Sequence, residues 1–125
     1  FWAVRKSALE ALNNMNIKVN PDLLKQVCND SNSKVRTTAI KMLGDTKDSR
    51  LLSFFKNQFE KDNSYIVQAE ALRSIGKCGN QSQTSFLRRA FKMESPRDVI
   101  KRAADWAQKE IMKKEGNKSK TQFGG

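Results

Sequence analysis

The 125-residue chain contains no histidine. That absence removes the HExxH metal helix, the Ser-His-Asp and Cys-His nucleophilic arrangements and the common catalytic zinc sites. There are only two cysteines, Cys28 and Cys78, in differently placed elements. They form neither a disulfide framework nor a CxxC site, and two thiols alone do not close a usual structural zinc site. No apolar run approaches the roughly 18 residues of a membrane span. A signal peptide and a phosphate-binding glycine loop are likewise missing. Asp30, Asn32 and Lys34 start with calcium-loop spacing, but Lys34 occupies a ligand position and Lys41 stands where the bidentate glutamate belongs. The chain is therefore expected to hold no metal or cofactor of its own.

The acids are dispersed: Asp22, Asp30, Asp48, Asp62 and Asp98 all fall at turns or helix starts. Those are the positions where acids complement the positive end of a helix, so they are expected to be caps rather than a catalytic pair. The bases are more abundant, with 24 Lys and Arg against 13 Asp and Glu and a net charge of +11. The surface potential is positive, and polyanions are candidate partners.

What the chain does contain is a repeat. In Asp30 to Gly44, DSNSKVRTTAIKMLG, a polar turn leads to Val35 and Arg36, then Ala39, Ile40 and Leu43 at helical spacing, then a glycine. Val4, Arg5, Ala8, Leu9 and Leu12 match it, as do Val67, Ala71, Leu72, Ile75 and Gly76, and more loosely Val99, Ala103, Ala104 and Ala107. The lead valines at 4, 35, 67 and 99 step by 31 or 32 residues. Such a period marks stacked helical units.

Between these helices run first helices of shorter pattern. Asn20 and Pro21 make a cap and an N1 proline before Leu23, Leu24 and Val27. Asp48 or Ser49 caps a stripe of Leu51, Leu52, Phe55 and Phe59. Asn80 with Gln83 fits a capping box before Phe86, Leu87, Ala90 and Phe91. Ser95 and Pro96 open the last helix. Gly44 and Gly76 are expected to stop their helices in the left-handed conformation. The matching position in the last helix is Gln108, so this helix is expected to run to about Lys114 and to end at Gly116. Its charged outer face, with Lys101, Arg102, Asp105, Lys109 and Glu110, reads as a cap on the array. Ile17 and Val19 are expected to tuck onto the core. Cys28 sits at an apolar helical position and Cys78 in a turn.

The expected architecture is all-α, a right-handed α/α superhelix of about three and a half hairpins. It spans residues 1–115, and 116–125 forms a flexible tail. Phe1 and Trp2 open the chain in the first turn of a second helix, so the chain is expected to be cut from a longer protein.

Three groups are candidate sites. Arg5 and Arg36 share one repeat position, with Asp30 and Asp62 as partners in a structural ladder. Lys34, Arg73, Lys101 and Arg102 form a candidate basic surface which, joined to Arg5 and Arg36, would be a phosphate-binding stripe. Gln68 and Ile100 interrupt the arginine series. Phe55, Phe59, Phe86 and Phe91 lie on helical stripes and belong to the core. Phe1, Trp2 and Phe54 form a candidate docking surface, and Tyr65 is a further off-stripe aromatic.

The pattern of Val, Arg, two variable residues, Ala and Leu in the second helix of a pair resembles HEAT-like repeats, from Phe1 to about Lys113. More narrowly, FWAVRKSALEAL at the start, DNSYIVQAEALRSIGK at 62 to 77 and SPRDVIKRAADWA at 95 to 107 resemble the carboxy-terminal HEAT-like region of some gluzincin zinc aminopeptidases. The resemblance implies a non-catalytic scaffold that covers a catalytic domain and its substrate chamber. Its partner would be the preceding domain of the same polypeptide, which alone would hold the zinc. The alternatives are a free-standing adaptor with a groove for a protein or peptide, and a basic nucleic-acid-binding module.

Overall fold

The computed structural model describes the backbone of residues 1–124 and the side chains of residues 1–117. Seven α-helices and no strand are present among the described residues. They are α1 (Trp2–Asn14), α2 (Pro21–Val27), α3 (Ser33–Asp45), α4 (Leu52–Lys61), α5 (Tyr65–Cys78), α6 (Thr84–Phe91) and α7 (Val99–Gly124). Three hairpins, α2/α3, α4/α5 and α6/α7, follow a lone α1. Each first helix packs on its own second helix, and the second helices α1, α3, α5 and α7 pack side by side in chain order. The result is a two-layered helical solenoid.

The starts follow from local chemistry. The side-chain oxygens of Asn20 and Asn32 accept hydrogen bonds from the amides of Asp22 and Lys34 at 2.8 Å each. Single 3-10 turns precede α4, α6 and α7. The Asp48 carboxylate accepts from the Arg50 amide at 2.9 Å. Asn80 Oδ1 accepts from both Ser82 N and Ser82 Oγ. The Gln83 amide nitrogen donates to Ser82 Oγ rather than reaching back to Asn80, so the expected capping box does not form. Ser95 Oγ accepts from Ile100 N at 3.0 Å, across a turn in which Arg97 and Asp98 both have positive φ.

The repeat positions make the core. Val35, Ala39, Ile40 and Leu43 in α3 and Val67, Ala71, Leu72 and Ile75 in α5 are fully buried. Ile100, Ala103, Ala104, Ala107 and Ile111 continue the core in α7, and Phe55, Phe59 and Leu87 fill it from the first layer. Val4 departs from its copies and is 65% exposed. Val35 and Val67 have a neighbouring second helix on each side and a paired first helix, whereas α1 rests chiefly on α3. Phe91 and Ile17 also lie at the surface, at 36% and 45% exposure, while Val19 packs against the core.

The glycines act differently from expectation. α3 runs one residue beyond Gly44, α5 two beyond Gly76, and no glycine has positive φ among the described residues. The left-handed exits belong to Asn16 after α1 and Lys47 after α3. At Asn16 the Ile17 amide bonds to Leu12 O and the Asn16 amide to Asn13 O, which satisfies carbonyls of the last turn. Gly44 and Gly76 instead face the next second helix, where a Cβ would strike Ser74 and Ala107 respectively. Cys78 closes α5 as its last helical residue and is buried. Gly116 does not end α7, because without a left-handed residue a single glycine only weakens a helix. Most of the expected flexible tail, namely Gly125 and the side chains of 118–124, lies outside the described residues.

Candidate functional site

The turns that open α3 and α5 are built alike. Asp30 Oδ1 accepts from the Asn32 amide, and Asp62 Oδ1 accepts from the Ser64 amide, each at 2.9 Å. The same carboxylates receive an arginine from the preceding second helix. Arg5 donates to Asp30 through Nε at 2.7 Å and Nη2 at 2.9 Å. Arg36 donates to Asp62 at 2.9 and 3.0 Å, and its Nη1 reaches the carbonyls of Asp30 and Ser31. Fork-on-fork pairing of this kind fixes orientation as well as distance. The inner rung is the drier one, since the side chains of Arg36 and Asp62 keep 13% and 3% exposure against 46% for that of Arg5.

Asp62 also accepts from Gln58 Nε2 at 2.8 Å. Burial pushes the Asp62 carboxyl up, but the Arg36, Ser64 and Gln58 hydrogen bonds outweigh it and hold the group below the usual carboxylate range. At Asp30 the Arg5 hydrogen bond has the same net effect. The series ends after two rungs. Gln68 turns its amide back to Phe59 O at 2.9 Å, and Ile100 is a core residue.

A second set of ties joins the opposite helix ends. Lys77 at the end of α5 donates to Asp45 at the end of α3 at 2.7 Å, and Lys41 reaches the same carboxylate. Lys114 donates to the carbonyls of Lys77 and Gly79, taking up oxygens left free where α5 stops. With these carboxylates paired to cations, they serve cohesion rather than proton transfer. Burial pushes the Cys28 thiol up to about 12 and raises Cys78 too, which removes thiolate chemistry near neutrality. No group of three or more metal-ligating side chains occurs among the described residues.

The candidate basic residues are dispersed. Arg73 bonds to Glu70 at 3.0 Å. Lys34 lies 4.6 Å over the Trp2 ring and Lys101 lies 5.0 Å over the Phe91 ring. Arg102 has no hydrogen bond or ion pair among the described residues. With Arg5 and Arg36 engaged in their rungs, each of the six has its own surroundings. Among the aromatics, Phe1 is 96% exposed, while Phe54 is partly buried, edge-on to Phe55 and covered by Lys25. Tyr65 is exposed at the start of α5.

The sequence pattern gave no notice of a cleft between α5 and α7 on the outer side of the second-helix layer. It holds about 330 Å³. Ile66 and Trp106, exposed at 53% and 38%, stand on its two sides. Buried Ala69 and Ala103 make its floor, and Arg73 and Arg102 rim it. Small floor residues let the helices close in, and the large apolar walls then enclose a depression. The available signal was that Ile66 and Trp106 are large apolar residues off the buried stripe. Trp and Arg are the residue types that most often anchor protein interfaces.

No helix among the described residues is long and apolar enough to cross a membrane. A family model for HEAT repeats matches residues 1–75 and again 20–109. No curated protein matches the chain.

Proposed function

The chain belongs to the HEAT-repeat family, and from that premise we propose that it is a non-catalytic scaffold whose α5–α7 cleft docks onto a protein partner, the catalytic part of a zinc aminopeptidase of the gluzincin class. The family makes it a scaffold or interaction module, and the cleft is the observation that carries the docking surface. Ile66 and Trp106 offer apolar area left exposed by the described residues, and Arg102 offers a guanidinium with no acid on it among them. The choice of partner rests on the resemblance of residues 1–12, 62–77 and 95–107 to the carboxy-terminal region of those peptidases. Zinc, the attacking water and the substrate's amino end would all be held by the partner, since this chain has no histidine.

Two observations test the reading. The reading frame ahead of Phe1 is expected to encode an HExxH helix followed by a glutamate; a frame without one removes the aminopeptidase and leaves the scaffold. The purified chain is expected to leave aminoacyl nitroanilides intact, and metal-independent turnover of such a substrate would overturn the non-catalytic role.

A further inference from the structure

The eight arginines divide sharply along the chain. Arg5, Arg36, Arg50 and Arg73 each hold a carboxylate. Arg88, Arg89, Arg97 and Arg102 hold none among the described residues. Charge follows the same division. Residues 84–125 carry eleven cations against five acids, whereas the longer stretch before them carries thirteen against eight.

Three cations with no ion pair among the described residues form a ridge along α6 and its C-cap. Leu87 and Ala90 face the core, which turns Arg88, Arg89 and Lys92 to solvent at 100° per residue. Phenylalanines flank the ridge. Phe86 lies on the α4 side, edge-on to Phe59, with Lys56 at 5.4 Å and Arg89 at 5.8 Å from its ring. Phe91 lies on the α7 side under Lys101. Arg97 projects from the following turn, held there in the left-handed conformation. Cations and half-exposed rings thus alternate across α4, α6 and α7, a span of roughly 20 Å at ordinary helix spacing.

From this alternation we propose that the α6 ridge and its flanking phenylalanines bind single-stranded nucleic acid, independently of the α5–α7 docking cleft. Guanidinium groups free of carboxylates bind phosphate in fork geometry. The rings now lie against Lys56, Arg89 and Lys101; these long cations swing onto the phosphates as bases stack on Phe86 and Phe91, a use of the rings that a purely acidic protein surface or a lipid headgroup layer would not make. At 3.4 Å per stacked nucleotide the band fits a strand of about six.

The test uses fluorescence anisotropy of a labelled oligothymidylate of about twelve nucleotides, titrated with the intact chain. With four phosphate contacts, binding weakens about 50-fold between roughly 50 and 200 mM salt. Changing Arg88, Arg89, Lys92 and Arg97 to Gln is expected to cost at least about tenfold in affinity at the lower salt and to flatten the salt dependence. Changing Lys6, Lys18, Lys47 and Lys61 to Gln removes the same charge elsewhere and leaves most of the binding. Phe91→Leu is expected to weaken oligonucleotide binding roughly fivefold while leaving heparin binding unchanged. All four substituted positions face solvent, so the melting curve serves as a check that the variant folds. The proposal is overturned by no binding at low salt, by equal losses in the two charge variants, by an indifferent Phe91→Leu, or by binding of phosphatidylserine vesicles without the oligonucleotide.

Discussion

Gly76 and Ala107 meet backbone to backbone: a Cβ on Gly76 would lie 2.6 Å from Ala107 Cα and 2.8 Å from its Cβ. The same relation recurs one unit earlier, where Gly44 faces Ser74, and Ser74 Oγ donates to Ile40 O at 3.3 Å across the contact. The α3–α5 contact therefore has close backbone approach at one end and the Arg36–Asp62 pair at the other, while α1–α3 has the Arg5–Asp30 pair and α5–α7 the Gly76–Ala107 approach. These two kinds of join set the relation between successive hairpins.

Gly76→Ala should destabilise the chain although alanine is the better helix former. The intrinsic gain is about 1 kcal/mol, but the new methyl meets backbone, and forcing the helices apart costs about 1–3 kcal/mol beyond that gain. Gly116→Ala has nothing within 4 Å of its new Cβ and should stabilise by up to about 1 kcal/mol. Urea denaturation of the two variants is expected to give midpoints on opposite sides of the parent's.

Replacing Asp62 by Asn should cost about 2 kcal/mol at pH 7, because it leaves Arg36 partly buried without a counter-charge. Asp30→Asn should cost less, since the Arg5 side chain is more exposed than that of Arg36. Denaturation series for both variants check the order.

Acid should erase the Asp62 difference. The folded-state pKa of Asp62 lies below the unfolded value of about 3.9. Its contribution is therefore complete above that value and is lost as pH falls through the folded one. The stability gap between parent and Asp62→Asn should be constant near neutrality and shrink below about pH 4. Asp30, Asp45 and Asp48 are depressed as well and add to the same acid lability. Thermal melts between pH 7 and 3 show whether the gap closes in that window; a gap that widens would contradict the assignment.

Cys28 and Cys78 should resist alkylation in the native chain at pH 8, since both are buried and burial raises both thiols. Iodoacetamide labelling followed by mass spectrometry is expected to rise only with unfolding in denaturant.

The repeat was legible because burial enforces it. Val35 and Val67 occupy equivalent buried positions, and any sequence that fills them must show the 32-residue step. The turn aspartates were legible for a related reason, as Asp30 and Asp62 start second helices at the same offset. The glycines were misread because a helix stop and a close helix contact both call for glycine near a helix end. Only the backbone angles and the neighbour across the gap separate the two. Lys47 gave no signal for its left-handed turn, since lysine is not a residue that such turns favour. Trp106 and Ile66 lie off the buried stripe, and their meeting across a cleft depends on how α5 and α7 align. That alignment is a tertiary fact which no single-helix pattern contains.

The central claim is that the α5–α7 cleft is a docking surface, and hydroxyl-radical footprinting of Trp106 addresses it most directly. Trp106 oxidation in the isolated chain should be compared with that in the chain joined to the proposed peptidase domain, with exposed Met112 of α7 as an internal reference for dose. The account predicts strong protection of Trp106 and Ile66 in the joined protein and its loss on Ile66→Asp. Equal oxidation of Trp106 in the two samples would contradict it.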